Sequence, residues 1–232
     1  MKKLFLPILL ILFLFNKSYS KEAMTMVDNI YWLGHDAFKI KYGSKIIYID
    51  PFKIKEGEEK ADIILLTHPH FDHTSEEDVK KVMKENTLFI GVEESLAKFK
   101  GQKKVVNVGD KIKVEDKIEI TAVPAYNVNK KFHPKSNGWV GYILDLGGVK
   151  IYHAGDTDRI PEMKDFNVNI ALLPVSGTYV MTSDEAVQSA LDIMPDIAIP
   201  MHYGSIVGSE QDALNFKKAL EGKVNVIIKE KK

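Results

Sequence analysis

From Ile30 onward the chain keeps returning to one local unit, a short run rich in Val, Ile, Leu and aromatic residues, often closed by Gly, Pro, Asn or Asp. In the first half the runs read IYWL, AFKIKY, KIIYID, DIILLT, TLFIG, KKVVNV and KIEITAV; in the second, GWVGYILDL, VKIYHA, VNIALLPV, DIAIPM and VNVIIK. They are short and β-branched, so they read as strands, several of them without polar alternation and therefore buried on both faces. A chain built this way must form sheets whose faces are covered. DLGGVKI adds a hairpin, because Gly147 and Gly148 accept the positive φ of a two-residue turn.

Helical stretches sit between some of the strands. TSEEDVKKVMKEN carries Ser75-x-x-Asp78 and TSDEAVQSALDIM carries Thr182-x-x-Glu185, both capping-box spacings. SEQDALNFKKALEG stops at Gly222, as a helix C-terminus often does. With no linker, low-complexity tract or internal repeat, residues 21–232 read as one layered α/β or α+β domain.

The first 20 residues stand apart. Lys2 and Lys3 precede an apolar run from Leu4 to Phe15, and NKSYS then places Ser18 and Ser20 where a cleavage site wants small residues. As a helix that run would measure roughly 18 Å against a hydrocarbon core of about 30 Å. Residues 1–20 therefore read as a secretory signal peptide cut after Ser20, with an uncleaved N-terminal membrane anchor as the alternative. The expectation is an exported protein, periplasmic or secreted, with no stable membrane insertion once the signal is removed.

The chain has no cysteine. It can carry neither a lipid-modified N-terminus nor a disulfide, and any metal it holds must be bound by imidazole and carboxylate. Basic and acidic residues number 32 each, and Arg159 is the sole arginine. A nucleic-acid partner, which favours clustered arginine for bidentate contacts, is not expected.

DIILLT runs into His68-Pro-His70-Phe-Asp72-His73 and then into a capped helix, so three of the 7 histidines share one loop at a strand end. Strand ends are where layered sheets display their chemistry. Imidazoles alternating with a carboxylate suit Zn²⁺, Mn²⁺ or Fe²⁺, whereas the plain alternative is a solvated polar loop. Asp156 and His202 each follow an apolar strand, at VKIYHAGD and DIAIPMH. Taken alone they would be a turn aspartate and a buried structural imidazole.

Together these stretches resemble the motifs of the metallo-β-lactamase fold. His68, His70, Asp72 and His73 match its signature, and IYIDPF is similar to the strand ending in an acidic residue, Asp50, that steadies the ligand loop from behind. YHAGDT resembles the motif whose carboxylate, Asp156, bridges two metals, and IPMHYG the motif that gives His202 to the second metal. With WLGHDAF, the set is most similar to the branch that includes ascorbate-6-phosphate lactonase and the phosphatidylethanolamine phospholipase D enzymes. The resemblance runs from about Asp28 to the C-terminus. It implies a four-layer αββα sandwich with a binuclear site, holding two Zn²⁺ or alternatively Mn²⁺ or Fe²⁺.

One position departs from the family pattern. Many members have a histidine after the strand that precedes the central hairpin, completing the ligands of the first metal. Here ITAVPAYNVNKKFHP aligns Asn127 with that position, and His133 follows further on. Asn127 is expected near the metal, although an amide oxygen binds more weakly than an imidazole. His133 is expected in the substrate pocket with Tyr179; in the alternative, His133 swings in as the ligand. His35 matches a recurrent family position and is expected, with Asp72, to be catalytic, and His153 is expected to be structural.

Two divalent ions sharing a water would lower its pKa toward neutrality. The resemblance thus implies an exported metal-dependent hydrolase that cleaves an ester, lactone, amide or phosphodiester bond in a small-molecule or lipid-like substrate. Two alternatives stand beside it: a non-hydrolytic iron-dependent oxidoreductase of the same fold, and a metal-binding protein without turnover. KEGEEKAD and Asn127 to Asn137 are the expected pocket walls, with Trp139 as an apolar contact and the hydroxyls of SGTY and HYGS within reach of substrate. The sequence does not set the oligomeric state.

Overall fold

Two sheets hold the strands of this computed structural model, which describes residues 21–232; the expected signal peptide lies outside the described residues. The first sheet contains β1 (Ile30–Gly34), β2 (Ala37–Tyr42), β3 (Lys45–Ile49), β4 (Ile63–Leu66), β5 (Leu88–Gly91) and β6 (Gln102–Val105), in that spatial order. β1 to β3 form an antiparallel meander, and β3 to β6 run parallel. The second sheet contains β7 (Lys111–Glu115), β8 (Ile118–Pro124), β9 (Val140–Leu146), β10 (Val149–His153), β11 (Ile170–Pro174), β12 (Ile197–Met201) and β13 (Asn225–Val226). There β7 to β10 are antiparallel and β10 to β13 parallel. Both halves thus follow one plan, a meander leading into parallel strands, although the sequence shows no repeat.

β4 explains why so many runs lack polar alternation. Ile63 and Leu65 enter the larger apolar cluster while Ile64 and Leu66 enter a smaller one. Successive side chains of a strand point to opposite faces, so a strand between two cores is apolar throughout. Each such side chain contributes about 1.5–3 kcal/mol on burial.

The smaller cluster is completed by Val79 and Val82 of α2 (Glu76–Val82) and Leu96 of α3 (Glu93–Leu96). The larger takes in Val187 and Ala190 of α4 (Ser183–Ile193) and Phe216 of α5 (Glu210–Ala219). Between the sheets, the Tyr142 hydroxyl donates to the Leu66 carbonyl at 2.7 Å. The result is the expected αββα sandwich.

Local signals account for most element ends. Ser75 accepts from the Asp78 amide, and Thr182 and Glu185 bond each other's backbone at 3.1 and 2.8 Å. Gly147 and Gly148, with φ of 66° and 98°, close the hairpin in which Leu146 faces Val149. Elsewhere the structure differs from the sequence reading. α5 stops at Ala219, before Gly222, and of VNVIIK only Asn225–Val226 pairs as a strand. The exposed edge strand β7, the short α3 and a first helix, Lys21–Val27, carry no signal strong enough to read.

Within each sheet, strands that run the same way deliver their C-terminal ends to one edge. β1, β3 and β4 lead into His35, Asp50 and Thr67, and β8, β10 and β12 lead into Tyr126, Asp156 and His202. That common edge is where ligands collect in sheets of this kind.

Candidate metal centre

The loop after β4 is built around Asp50. This carboxylate is fully buried and accepts bonds from the Thr67 amide and hydroxyl and from His73 Nδ1 at 2.8 Å. With Nδ1 donating, His73 Nε2 is left buried and without a partner. Thr74 closes the loop through its hydroxyl to the His68 carbonyl at 2.7 Å. Asp50 thus stands behind the ligand loop, as the resemblance implies.

Six of the seven histidines meet at this edge, in two groups. His68 Nε2 and His70 Nδ1 lie 3.0 Å apart, and His133 offers a nitrogen within 4.8 Å of both. His35, His73 and His202 form the second group. Asp156 stands between them. Its Oδ2 lies 3.2 Å from His133 Nε2 and 4.0 Å from His68 Nε2; its Oδ1 lies 3.3 Å from His202 Nε2 and 3.4 Å from His73 Nε2.

His202 is seated by Ser176, whose Oγ is 2.8 Å from Nδ1, and by its own amide, which donates to the His35 carbonyl. Ser176 therefore serves the ligand, a role not read from SGTY. His35, Asp50 and His202 all adopt positive φ, between 44° and 60°. Backbone of this kind persists only where surrounding bonds over-determine it.

Asn127, expected near the metal, is engaged by protein groups. Its Nδ2 donates to Asp158 Oδ1 at 3.1 Å and to the Tyr179 carbonyl at 2.9 Å, while its Oδ1 accepts from the His133 amide at 3.0 Å. His133 Nδ1 also faces that oxygen, at 3.3 Å, so the amide supports His133. His133 lines the cavity, as expected, and also points Nε2 at Asp156, because the loop doubles back to pair the Asn127 amide with the His133 carbonyl.

Asp72 sits toward the mouth of the site, 3.9 Å from His73 Nε2 and 3.1 Å from His35 Nε2. Burial pushes the His35 imidazole down to about 4 despite Asp72. Its Nε2, 3.1 Å from Asp72 Oδ2, is placed to orient that carboxylate. His153, as expected, is structural: Nε2 meets the Asp36 carbonyl at 2.9 Å, and the Gly155 amide donates to Nδ1.

Charges at the centre are strongly perturbed. Burial penalises the His73 and His202 imidazolium forms, yet Asp156 outweighs it, helped by Asp50 at His73 and Asp36 at His202. His73 is held well above the usual imidazole range and His202 at about 9. Burial works against the Asp156 carboxylate too, but His73 and His202 keep it well below its ordinary range. His68 is driven down, chiefly by burial. Buried polar atoms without a partner include His73 Nε2, His133 Nε2 and Asp156 Oδ1. Native interiors rarely leave such atoms orphaned, and an all-imidazole and carboxylate set fits divalent ions.

A cavity of about 250 Å³ opens over the cluster, with His70, Asp72, His133 and Asp156 as its polar lining and Phe71, Phe132, Tyr179 and Ile206 as its apolar lining. Tyr179 thus sits where a substrate contact was expected, edge-on to Phe132 at 4.8 Å. Of the two expected walls, Asn127 to Asn137 contributes Phe132 and His133, whereas KEGEEKAD does not line the cavity and its Glu58 and Glu59 pair with Lys39. Trp139, expected as an apolar contact, stacks behind His68 at 5.0 Å.

Comparison with known proteins agrees with this geometry. Residues 29–202 match the family described as the Beta-lactamase superfamily domain. A UPF0173 metal-dependent hydrolase from Methanopyrus kandleri is 33% identical, over 83% of this chain and 91% of its own. One from Pyrococcus furiosus is 36% identical, over 85% and 94%. Among solved structures, a protein from Parabacteroides distasonis assigned as a metal-dependent hydrolase superimposes with a TM-score of 0.78 at 36% identity, covering 88% of this chain and 93% of its own.

Proposed function

As this chain belongs to the metallo-β-lactamase superfamily and is a metal-dependent hydrolase, we propose that it cleaves an ester, lactone or amide bond in a small, largely apolar substrate, with two divalent ions. The two-ion reading rests on one observation: the two oxygens of Asp156 face separate imidazole groups. His68, His70 and His133 would hold one ion and Asp72, His73 and His202 the other, with Asp156 shared. Ions bound there supply Lewis acidity and make a water acidic enough to ionise near neutral pH.

The chain's own side chains set up the rest. Asp50, Ser176 and Asn127 each engage the far nitrogen of a ligand imidazole, at His73, His202 and His133, and so fix which nitrogen faces the centre. His35 orients Asp72 in the same way. Among the eight cavity-lining residues there is no Lys or Arg to receive a polyanion, while Phe71, Phe132, Tyr179 and Ile206 suit an apolar group placed beside the polar floor. Export through Lys2 to Ser20 belongs to the same proposal.

The test is direct. Protein stripped with a chelator and reloaded with Zn²⁺, Mn²⁺ or Fe²⁺ is assayed on p-nitrophenyl esters, aryl lactones and bis(p-nitrophenyl) phosphate. Activity is expected only after reloading, with the carbonyl substrates turned over faster. A preference for the phosphodiester overturns the substrate class, and failure to take up any ion overturns the site. N-terminal sequencing of exported protein should begin at Lys21; a start at Met1 would contradict cleavage.

A further inference from the structure

Asp36 has no part in the ligand set described so far. It follows His35 in WLGHDAF, is fully buried, and has both carboxyl oxygens without a hydrogen-bond partner. A carboxyl left that way is costly unless something satisfies it. Its backbone is clamped rather than loose. The His35 carbonyl accepts from Trp32 Nε1 and from the His202 amide, and the Asp36 carbonyl accepts from His153 Nε2. The peptide groups on both sides of the Asp36 side chain are therefore fixed.

What it faces is the second imidazole group. One ligand atom from each of Asp36, His73, Asp156 and His202 lies within 4.8 Å of the other three, and all four residues are buried. Donors around a tetrahedral ion stand about 3.4 Å apart, given bonds near 2.1 Å. The His73–Asp156 and His202–Asp156 separations, 3.4 and 3.3 Å, already have that spacing. Three side chains in this one group leave oxygens or nitrogens orphaned: Asp36, His73 and Asp156. Asp72, by contrast, retains 15% side-chain exposure and is bonded to His35.

We propose that Asp36 is a ligand of the second ion, completing its buried side with His73, His202 and Asp156 while Asp72 serves the exposed side. An additional carboxylate shifts the preference of that position toward harder ions such as Mn²⁺.

The inference rests on the two-ion reading, and the experiment keeps the two apart. Full-length wild type, Asp36→Asn and Asp36→Ser are stripped and titrated with Mn²⁺. Ions per chain are counted by mass spectrometry after dialysis, affinities come from calorimetry, and the visible spectrum is recorded with Co²⁺. Wild type should take up two ions. Both variants should keep the first at unchanged affinity, bind the second at least tenfold more weakly, and alter the Co²⁺ spectrum. Wild-type stoichiometry and affinity in Asp36→Asn overturns the role of Asp36 alone. A wild type that binds a single ion overturns the two-ion reading and this inference with it.

Discussion

Replacing Asn127 and His133 one at a time separates the side chain proposed to bind metal from the one that holds it in place. Asn127→Ala removes the acceptor of the buried His133 amide and the donor to the Tyr179 carbonyl, while Asp158 keeps the Val128 amide and Lys130. Leaving that buried donor unsatisfied, with the bonds to Tyr179 and Asp158 lost, costs about 2–3 kcal/mol. For a domain of this size that lowers the melting temperature by roughly 4–12 °C. Losing a partner behind a ligand also weakens ion binding by about 10–100-fold without abolishing it. His133→Ala removes Nε2 itself, so one ion should be absent at micromolar metal. Calorimetry with metal counting reads both effects. Should Asn127→Ala lose an ion outright while His133→Ala keeps both at wild-type affinity, Asn127 is the ligand and the geometry has been misread.

Three further perturbations test other parts of the structure. Asp78 accepts from the Lys53 and Ile54 amides, the Ser75 hydroxyl and Lys81, so Asp78→Ala should cost about 2–3 kcal/mol at pH 7 by denaturant titration. Burial raises the Asp78 carboxyl, but Ser75 and Lys81 hold it below its ordinary range; its contribution is complete above about pH 4 and lost as pH falls through the lower folded value. A variant with unchanged acid sensitivity refutes this. Gly141→Ala would put a Cβ 2.6 Å from the His153 and Ala154 carbonyls, just ahead of Asp156, so it should cost about 1–3 kcal/mol and weaken ion binding; a wild-type melting curve contradicts it. Phe132→Ala should raise KM for apolar esters several-fold and leave kcat nearly unchanged, whereas a fall in kcat alone would remove Phe132 from the substrate wall.

The parts of this molecule legible in its sequence are those written in local pattern. Short β-branched apolar runs gave the strands, the Thr182–Glu185 box gave the start of α4, and paired glycines gave the hairpin. His68, His70, Asp72, His73, Asp156 and His202 were legible as a set because each falls at a strand end with a characteristic neighbour, and all six come to one edge. What stayed hidden depends on long-range pairing. Nothing local shows that the segment after β8 turns back so that the Asn127 amide meets the His133 carbonyl, which is why alignment favoured the amide over the imidazole. Ser176 and Asp36 were hidden for a similar reason: their significance lies in His202 and Asp156, far along the chain. Gly141 did carry a signal, since glycine inside a strand marks close backbone approach.

The separation of core from centre decides how the metal relates to the fold. In small zinc domains the ion supplies the folding energy and its removal unfolds the chain. Here both apolar clusters are built mainly from strand and helix side chains, with Trp139 of the larger one packed on His68. Strain is instead concentrated at the edge, in the positive φ of His35, Asp50 and His202 and in the orphaned atoms of Asp36, His73, His133 and Asp156. Those costs, about 1–3 kcal/mol for each strained residue, fall on loops already pinned by Thr67, Ser176 and Asn127. The sandwich can therefore carry the centre in a pre-formed state without the ion. An ion that binds only this arrangement stabilises it by mass action in proportion to its affinity, so metal removal should abolish activity while leaving the sheets folded, and it is this that makes the affinity comparisons between variants interpretable.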